Sequence, residues 1–301
     1  MEQKQLWKQK LNLYRTGNFC WSIIRGVLII GLCFSILLPI IIKVLQGFMS
    51  EADLLDPTVS VYPREWSTYF YRHTYELIQY PVSAWHSFYI ALLTSAVQAI
   101  ICPMIGYGLA RFHFKGRKLL FGLIVATILV PPQLYSTSLY LKFRFFGVFG
   151  LEVSTIDTII PFLILSVCGL GFKNGLYIYL LRQFFRGMPR ELEEAAYIDG
   201  YGPIQTIFRI MLPNARNMLV TVLTLSFSWQ WTDVFYSTLF NQSTKTLPLA
   251  ILNNITQIDA MDQYVILRNT AGILTLIPLL IIFAIAQKQL ISGIERSGIV
   301  G

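Results

Sequence analysis

The sequence predicts an all-α, polytopic membrane protein with six transmembrane helices, and three observations carry that prediction. The first is composition. Of 301 residues, 54% are apolar and only 13% charged, with a mean hydropathy of +0.56; ordinary globular domains carry roughly 25% charged residues. The second is patterning, because the apolar residues fall in uncharged blocks at 26–42, 83–110, 119–141, 158–172, 217–232 and 269–287. About 20 apolar residues cross a bilayer as a helix. The fourth block extends past Lys173 to Leu181 and the fifth past Asp233 to Phe240. The third is the placement of basic residues. Lys4, Lys8, Lys10, Arg15 and Arg25 precede or enter the first block, and Arg111, Lys115, Arg117 and Lys118 join the second to the third. Arg182, Arg186, Arg190, Arg209 and Arg216 lie between the fourth and fifth, and Lys288 and Arg296 follow the sixth. Excess Lys and Arg mark cytoplasmic loops, so both termini are expected inside. The formal charge of +8 then reflects topology and anionic lipid, and nucleic acid is not an expected partner.

Residues 1–20 are expected to form a basic cytoplasmic lead, 21–290 the six-helix membrane domain, and 291–301 a cytoplasmic tail. The first block is too long for the core of a signal peptide, and no small-residue cleavage site follows it. It is therefore expected to be an uncleaved anchor. Residues 49–82 form an external loop containing Pro57, Pro63, Trp66 and several tyrosines, and such aromatics favour the membrane–water interface. Helices two and three form a hairpin through Ala110-Arg-Phe-His-Phe-Lys-Gly-Arg-Lys118. Helix three carries Val130-Pro131-Pro132-Gln133. Paired prolines remove backbone donors and bend a helix, and Gln133 places an amide near mid-membrane. A second external loop at 143–157 contains a Gly-Val-Phe-Gly turn.

The fourth block is irregular. Gly169-Leu-Gly-Phe-Lys-Asn-Gly175 holds three glycines, Lys173 and Asn174 between apolar stretches. Charged or non-helical groups at membrane depth survive where they face protein or a wet cavity. One reading is a loosened helix lining a translocation path. The other has Lys173 snorkelling or pairing with a carboxylate such as Asp233. The fifth block carries Ser228-Trp229-Gln-Trp231-Thr-Asp233. Indoles beside polar groups suit sugar rings, which offer apolar faces and hydroxyl edges; the same mixture also builds an interfacial belt. Gln133, Lys173, Asn174, Trp229, Trp231 and Asp233 are the candidates for a path across the membrane. A third external loop follows at 242–268.

Between blocks four and five lies Pro189-Arg-Glu-Leu-Glu-Glu-Ala-Ala-Tyr-Ile-Asp-Gly200. Glu191, Glu193 and Glu194 sit where carboxylates offset the positive end of a helix dipole, just after a proline. Gly200 supplies a C-terminal stop able to take positive φ. Gly202-Pro203 restarts a helix whose apolar face is Ile204, Ile207, Phe208 and Met211, and Pro213 closes the unit. A helix, a glycine turn and a second helix are expected on the cytoplasmic side.

Glu194-Ala195-Ala196, Gly200 and Ile210-Met-Leu212-Pro213 at this spacing resemble the EAA signature of binding-protein-dependent ABC importer permeases. The flanking segments 106–118, 129–141, 180–200, 246–252 and 287–301 resemble the carbohydrate-uptake branch, in its six-helix MalG-type form. Residues 1–20 and 49–82 match that family least. The resemblance implies a second permease as partner, two ATPase subunits that bind ATP and Mg, an external solute-binding protein, and a sugar substrate. It implies no cofactor on this chain and a bacterial cytoplasmic (inner) membrane location. It assigns Glu194 as a docking carboxylate, Ala195 and Ala196 as small residues for close approach, and Gly200 as the turn. Ile210, Leu212 and Pro213 would anchor the return to helix five. Glu191 and Glu193 are explained by capping and solvation. A peptide or other small-solute permease would share the signature without the sugar-type flanks.

Other classes fit less well. His73, His86 and His113 are the only histidines and lie in separate segments, so they are not expected to converge on a catalytic or metal site. There is no Gly-x4-Gly-Lys-Ser/Thr phosphate loop. The four cysteines, Cys20, Cys33, Cys102 and Cys168, lie in or beside membrane blocks without Cys-x-x-Cys spacing; they read as small buried hydrophobes.

Overall fold

The computed structural model describes residues 2–148, 151–241, 243–255 and 261–298, and for 2–20, 55, 148, 151, 261–262 and 294–298 the backbone alone. Residues 149–150 of the expected Gly-Val-Phe-Gly turn, part of the third external loop (Gln242 and 256–260) and the last residues of the tail (299–301) lie outside the described residues. Helices dominate: α1 (Glu2–Gln46), α2 (Glu51–Leu55), α3 (Tyr69–Leu77), α4 (Tyr80–Arg111), α5 (Arg117–Leu129), α6 (Ser136–Arg144), α7 (Ile160–Val167) and α8 (Asn174–Gly187). They continue as α9 (Glu191–Ile198), α10 (Pro203–Thr206), α11 (Leu212–Asn214), α12 (Arg216–Trp231), α13 (Phe235–Phe240), α14 (Leu247–Ile255) and α15 (Met261–Gly298). The all-α expectation needs one amendment. The segment after α6 forms an antiparallel hairpin, β1 (Phe146–Val148) and β2 (Leu151–Val153), with Gly147 opposite Glu152.

The apolar blocks take three forms. Trp21–Gln46, Tyr80–Arg111 and Gln263–Gly293 are continuous helices long and apolar enough to cross a membrane. The third block is a bent pair: Arg117–Leu129 and Pro132–Arg144 meet at 98°. A 3-10 turn over Pro132–Tyr135 stands at the bend. The cause is the expected one, since Pro131 and Pro132 cannot donate to the helix ladder. The fourth block breaks between α7 and α8 at 168–173, and the fifth breaks between α12 and α13 at 232–234. Lys173 stands in the left-handed region at φ 62° and Gly169 at φ 72°. A helix cannot run through either position.

The described residues divide into two compact units, one of residues up to 74 with 260–273, the other of 75–259 with 274–301. In the first, α1 leads into a loop built around Asp53, whose carboxylate accepts the backbone N–H groups of Ser50, Arg64 and Glu65. Phe48 packs on Trp66 and Tyr71 beside it. In the second, α4 runs through the middle, packed by α8 and α12. The approach of α4 to α8 is close enough that a Cβ on Gly106 would lie 2.9 Å from the Leu181 Cβ. Small residues permit such contacts between membrane helices. The core here gathers Tyr107, Tyr177, Leu181, Phe185, Met211 and Met218, all buried.

Candidate functional sites: a turn-linked helix pair and a cavity at a helix break

The segment 189–213 folds as a helix, a glycine turn and a second helix. Three carboxylates occupy the first turn of α9, where the Glu193 and Glu194 N–H groups donate to the Arg190 carbonyl. The far end is a complete Schellman cap: Gly200 N–H donates to Tyr197 O and Tyr201 N–H to Ala196 O. Gly200 stands at φ 83° with nothing within 4 Å of where a Cβ would be. The requirement for glycine is therefore conformational, worth about 1–2 kcal/mol against a residue with a Cβ. The Gly202 N–H is taken by the Gln205 side chain at 3.2 Å. Beyond α10 a π turn covers Ile207–Met211, with Leu212 N–H donating to Ile207 O. Pro213 supplies the cause, since it has no N–H for the Arg209 carbonyl and its ring crowds that carbonyl.

The apolar face expected over Ile204, Ile207, Phe208 and Met211 divides in two. Met211 is buried and Ile207 half-buried, continuing through Ala215, Met218 and Val222 into the core. Ile204 and Phe208 are 72% and 51% exposed, beside Ile198 at 86%. Glu191, Glu194 and Asp199 are exposed on the same unit, and mixed apolar and charged surfaces of this kind are common at interaction sites. Ala195 and Glu194 are exposed with it, while Ala196 is buried. Ile210 and Leu212 are half-buried against the core, and Pro213 is exposed.

Glu193 corrects the reading that left it to capping and solvation. Its Oε1 lies 3.2 Å from the Arg111 Nε, with side-chain exposures of only 12% and 7%. Neither atom has a hydrogen-bond partner, so the contact is a charge pair. Arg111 also donates from its terminal nitrogen to Met188 O at 2.6 Å. The end of α4 thus holds α9 and the chain leaving α8 through one guanidinium. Sequence reasoning missed this pair because its members stand far apart in the chain.

The second site surrounds the break between α7 and α8. A helix break leaves carbonyls without partners, which the hydrocarbon region does not tolerate. Side chains from two other helices answer: Gln98 of α4 donates to Phe172 O at 3.1 Å, and Ser226 of α12 donates to Gln98 Oε1. Asn174, fully buried, donates to Ser166 O at 3.0 Å. Neither Gln98 nor Ser226 was singled out from sequence; a lone amide inside an apolar block was the available signal.

A cavity of about 590 Å³ opens at this break, lined by the bend at 128–132 and by Tyr135, Phe172, Lys173, Asn174 and Tyr236. Lys173 is the only ionisable cation among its lining residues. Its ammonium lies 4.8 Å from the Trp229 ring centroid and 5.5 Å from that of Phe172. The two rings meet edge to face. Among the described residues no carboxylate lies within ion-pair distance of Lys173, so the pairing with Asp233 is not formed. Asp233 is buried and accepts the Ser237 N–H at 3.0 Å, capping α13. Trp231 is buried too, with its indole N–H donated to Thr275 O. Its role here is packing, and it does not line the cavity. Gln133 is exposed on the 3-10 turn, also outside the lining. Of the six path candidates, Lys173 and Asn174 line the cavity, and Trp229, itself outside the lining, stands against Lys173 and Phe172.

The histidines stay apart: His73 stacks on Tyr69, while His86 Nδ1 lies 3.2 Å from Lys245 O. Cys102 is buried, and Cys33 and Cys168 are exposed in the isolated chain, all as free thiols.

Comparisons with known proteins place these features in a family. Residues 103–296 match the model of the binding-protein-dependent transport system inner membrane component. Over its length the chain is similar to the inner membrane ABC transporter permease protein YcjP of Escherichia coli, at 23% identity across 97% of this chain and 99% of the relative. It is 30% identical to the trehalose transport system permease protein SugB of Mycobacterium tuberculosis over 70% of this chain and 74% of that one. It is 25% identical to the maltose/maltodextrin transport system permease protein MalG of Photorhabdus laumondii over 97% of each. In fold it resembles a chain from the crystal structure of a bacterial ABC transporter that imports the acidic polysaccharide alginate. That likeness has a TM-score of 0.68 at 20% identity and covers 89% of this chain and 95% of that one.

Proposed function

The chain belongs to the binding-protein-dependent transport system inner membrane components, and from that premise we infer that it is the transmembrane subunit of an ATP-binding-cassette importer for a sugar or oligosaccharide. It resides in the inner membrane. Relatives named for trehalose, maltose/maltodextrin and arabinooligosaccharides favour a sugar over a peptide.

The single observation that carries the mechanism is the exposed face of the α9–α10 unit, where Glu194, Ala195, Ile198, Ile204 and Phe208 lie on two helices joined by a hydrogen-bonded glycine cap. In this reading six crossings are made by α1, α4, the α5–α6 pair, the α7–α8 pair, the α12–α13 pair and α15, with both termini inside. The α9–α10 unit then faces the cytoplasm and docks on a partner ATPase, which binds ATP and Mg and hydrolyses the nucleotide. The small exposed Ala195 allows close approach, whereas Ala196 is buried and faces away from any partner; a surface mixing carboxylates with exposed apolar side chains is poorly suited to anionic lipid. A second permease completes the path, and an external solute-binding protein delivers the sugar. Because Arg111 ties α9 to α4, a push on α9 reaches the bundle as a rigid-body movement, the hinge-and-shear type of switching used in alternating access.

The test is ATP-driven saccharide uptake into proteoliposomes holding the assembled importer. Glu194→Lys is expected to abolish uptake while the chain still inserts. Full uptake in that variant would overturn the docking role, and no uptake by the wild-type assembly with any saccharide would overturn the function.

A further inference from the structure

The cavity at the α7–α8 break contains a cation that the fold itself does not neutralise. Lys173 interrupts an apolar block, lines a cavity of about 590 Å³ while exposed in the isolated chain, and has no carboxylate partner among the described residues. Ionisable residues inside membrane segments are costly and mark ligand or ion pathways by default. The volume falls within the roughly 300–1,000 Å³ typical of small-molecule sites. The backbone at Lys173 is held at φ 62°, a conformation that a residue with a Cβ adopts unfavourably. Asparagine or glycine would take it more readily, yet a lysine stands there.

The surroundings specify a ligand with both an apolar face and an acid group. The Trp229 and Phe172 rings flank the ammonium, and Trp229 is 44% exposed. Phe172, Asn174 and Tyr135 line the cavity with Lys173, and Trp229 stands beside the ammonium outside that lining. The α8 helix starts at Asn174, so the positive end of its dipole lies beside the lysine. A neutral sugar would use the rings and leave the cation unmatched; an inorganic anion would use the cation and ignore the rings. A saccharide bearing a carboxylate uses both.

We propose that this cavity is a subsite for an anionic saccharide, in which the Lys173 ammonium receives the acid group and the Trp229 and Phe172 rings receive the apolar face of the sugar. The proposal rests on the transport reading and narrows its substrate class. The headgroup of an anionic phospholipid would offer the same charge to Lys173, and the experiment separates the two sources.

The full chain in phosphatidylcholine nanodiscs is titrated with trigalacturonate and, separately, with maltotriose, with tryptophan emission as the readout. Trigalacturonate is expected to give a saturable shift that Trp229→Phe removes. Lys173→Gln is expected to weaken its binding about tenfold or more, as loss of a charge-assisted contact does, and Lys173→Arg to retain it. Equal binding of both saccharides, or unchanged affinity in Lys173→Gln, would overturn the site. In nanodiscs containing phosphatidylglycerol, a Lys173-dependent emission shift together with no response to trigalacturonate in either lipid would assign the cavity to lipid instead. Uptake by the assembled importer distinguishes failure of the subsite from failure of the transport reading. ATP-driven uptake of maltotriose unaffected by Lys173→Gln, with no uptake of trigalacturonate, would leave transport standing and overturn the anionic subsite. Lys173-dependent trigalacturonate binding without ATP-driven uptake of either would support the site and break the transport reading.

Discussion

The α9–α10 unit and the α7–α8 break both turn the chain with a left-handed residue and both carry charge, yet they solve opposite problems. At Gly200 the turn is closed by its own neighbours, through Tyr197 O and Ala196 O, and the glycine meets nothing. At the break, the freed carbonyls are met from a distance, by Gln98 of α4 and Ser226 through it. The first unit is locally complete and presents an outward face. The second is completed by other helices and encloses a cavity. A surface that must engage a partner can be written in consecutive residues, whereas a cavity needs walls from several segments. The charges follow the same division: Glu193 is paired with Arg111, while Lys173 is left to rings and open space.

The largest expected effect comes from the one place where the α9–α10 unit depends on a distant residue. Glu193→Ala leaves the Arg111 guanidinium nearly buried without its carboxylate, a change of about 3 kcal/mol for such pairs. Thermal unfolding of the solubilised protein should show the loss, and Glu193→Ala with Arg111→Met should recover part of it. If the single variant unfolds like the wild type, α9 is as self-sufficient as its cap suggests. Next comes Gly200→Val, expected to cost about 1–2 kcal/mol through positive φ alone. Hydrogen exchange should rise in α9 and stay unchanged in α8. An effect spreading to α8 would show that the two regions are coupled through the turn itself. Gln98→Leu is smaller again, about 1 kcal/mol, because it orphans the Phe172 carbonyl in a setting where such bonds average well below 2 kcal/mol. Here exchange should rise around the start of α8 and not in α9.

These differences in construction also explain what was legible in the sequence. Glycine at 200, proline at 213 and the first-turn carboxylates act on their own backbone, so their consequences follow from spacing. The bend at Pro131-Pro132 was legible for the same reason. Glu193 was misjudged because its partner lies at the end of α4, and periodicity within α9 says nothing of α4. The face over Ile204, Ile207, Phe208 and Met211 was expected as one stripe. The π turn before Pro213 and the depth of the core at Met211 instead send one ridge inward and leave the other outside. At the break, Lys173 and Asn174 were visible as anomalies in an apolar block, but their surroundings depend on how α4, α5 and α12 meet. Trp229 and Trp231 make the point most sharply. Two positions apart on one helix, one indole is 44% exposed beside Lys173 and the other 2% exposed with its N–H donated to Thr275 O. No sequence signal separated them.

That pair of indoles gives the smallest and most discriminating test of the two-region picture. Trp231→Phe keeps an aromatic ring in the core but removes the indole donor to Thr275 O. A lost hydrogen bond of this kind costs about 0.5–1.5 kcal/mol, so unfolding should shift slightly while saccharide affinity stays the same. Trp229→Phe removes only part of a half-exposed ring, so the unfolding transition should stay within error while trigalacturonate binding weakens. The crossed outcome, with stability falling at 229 and affinity at 231, would mean that the side of α12 facing ligand is the one packed in the isolated chain, and that α12 turns when the importer assembles.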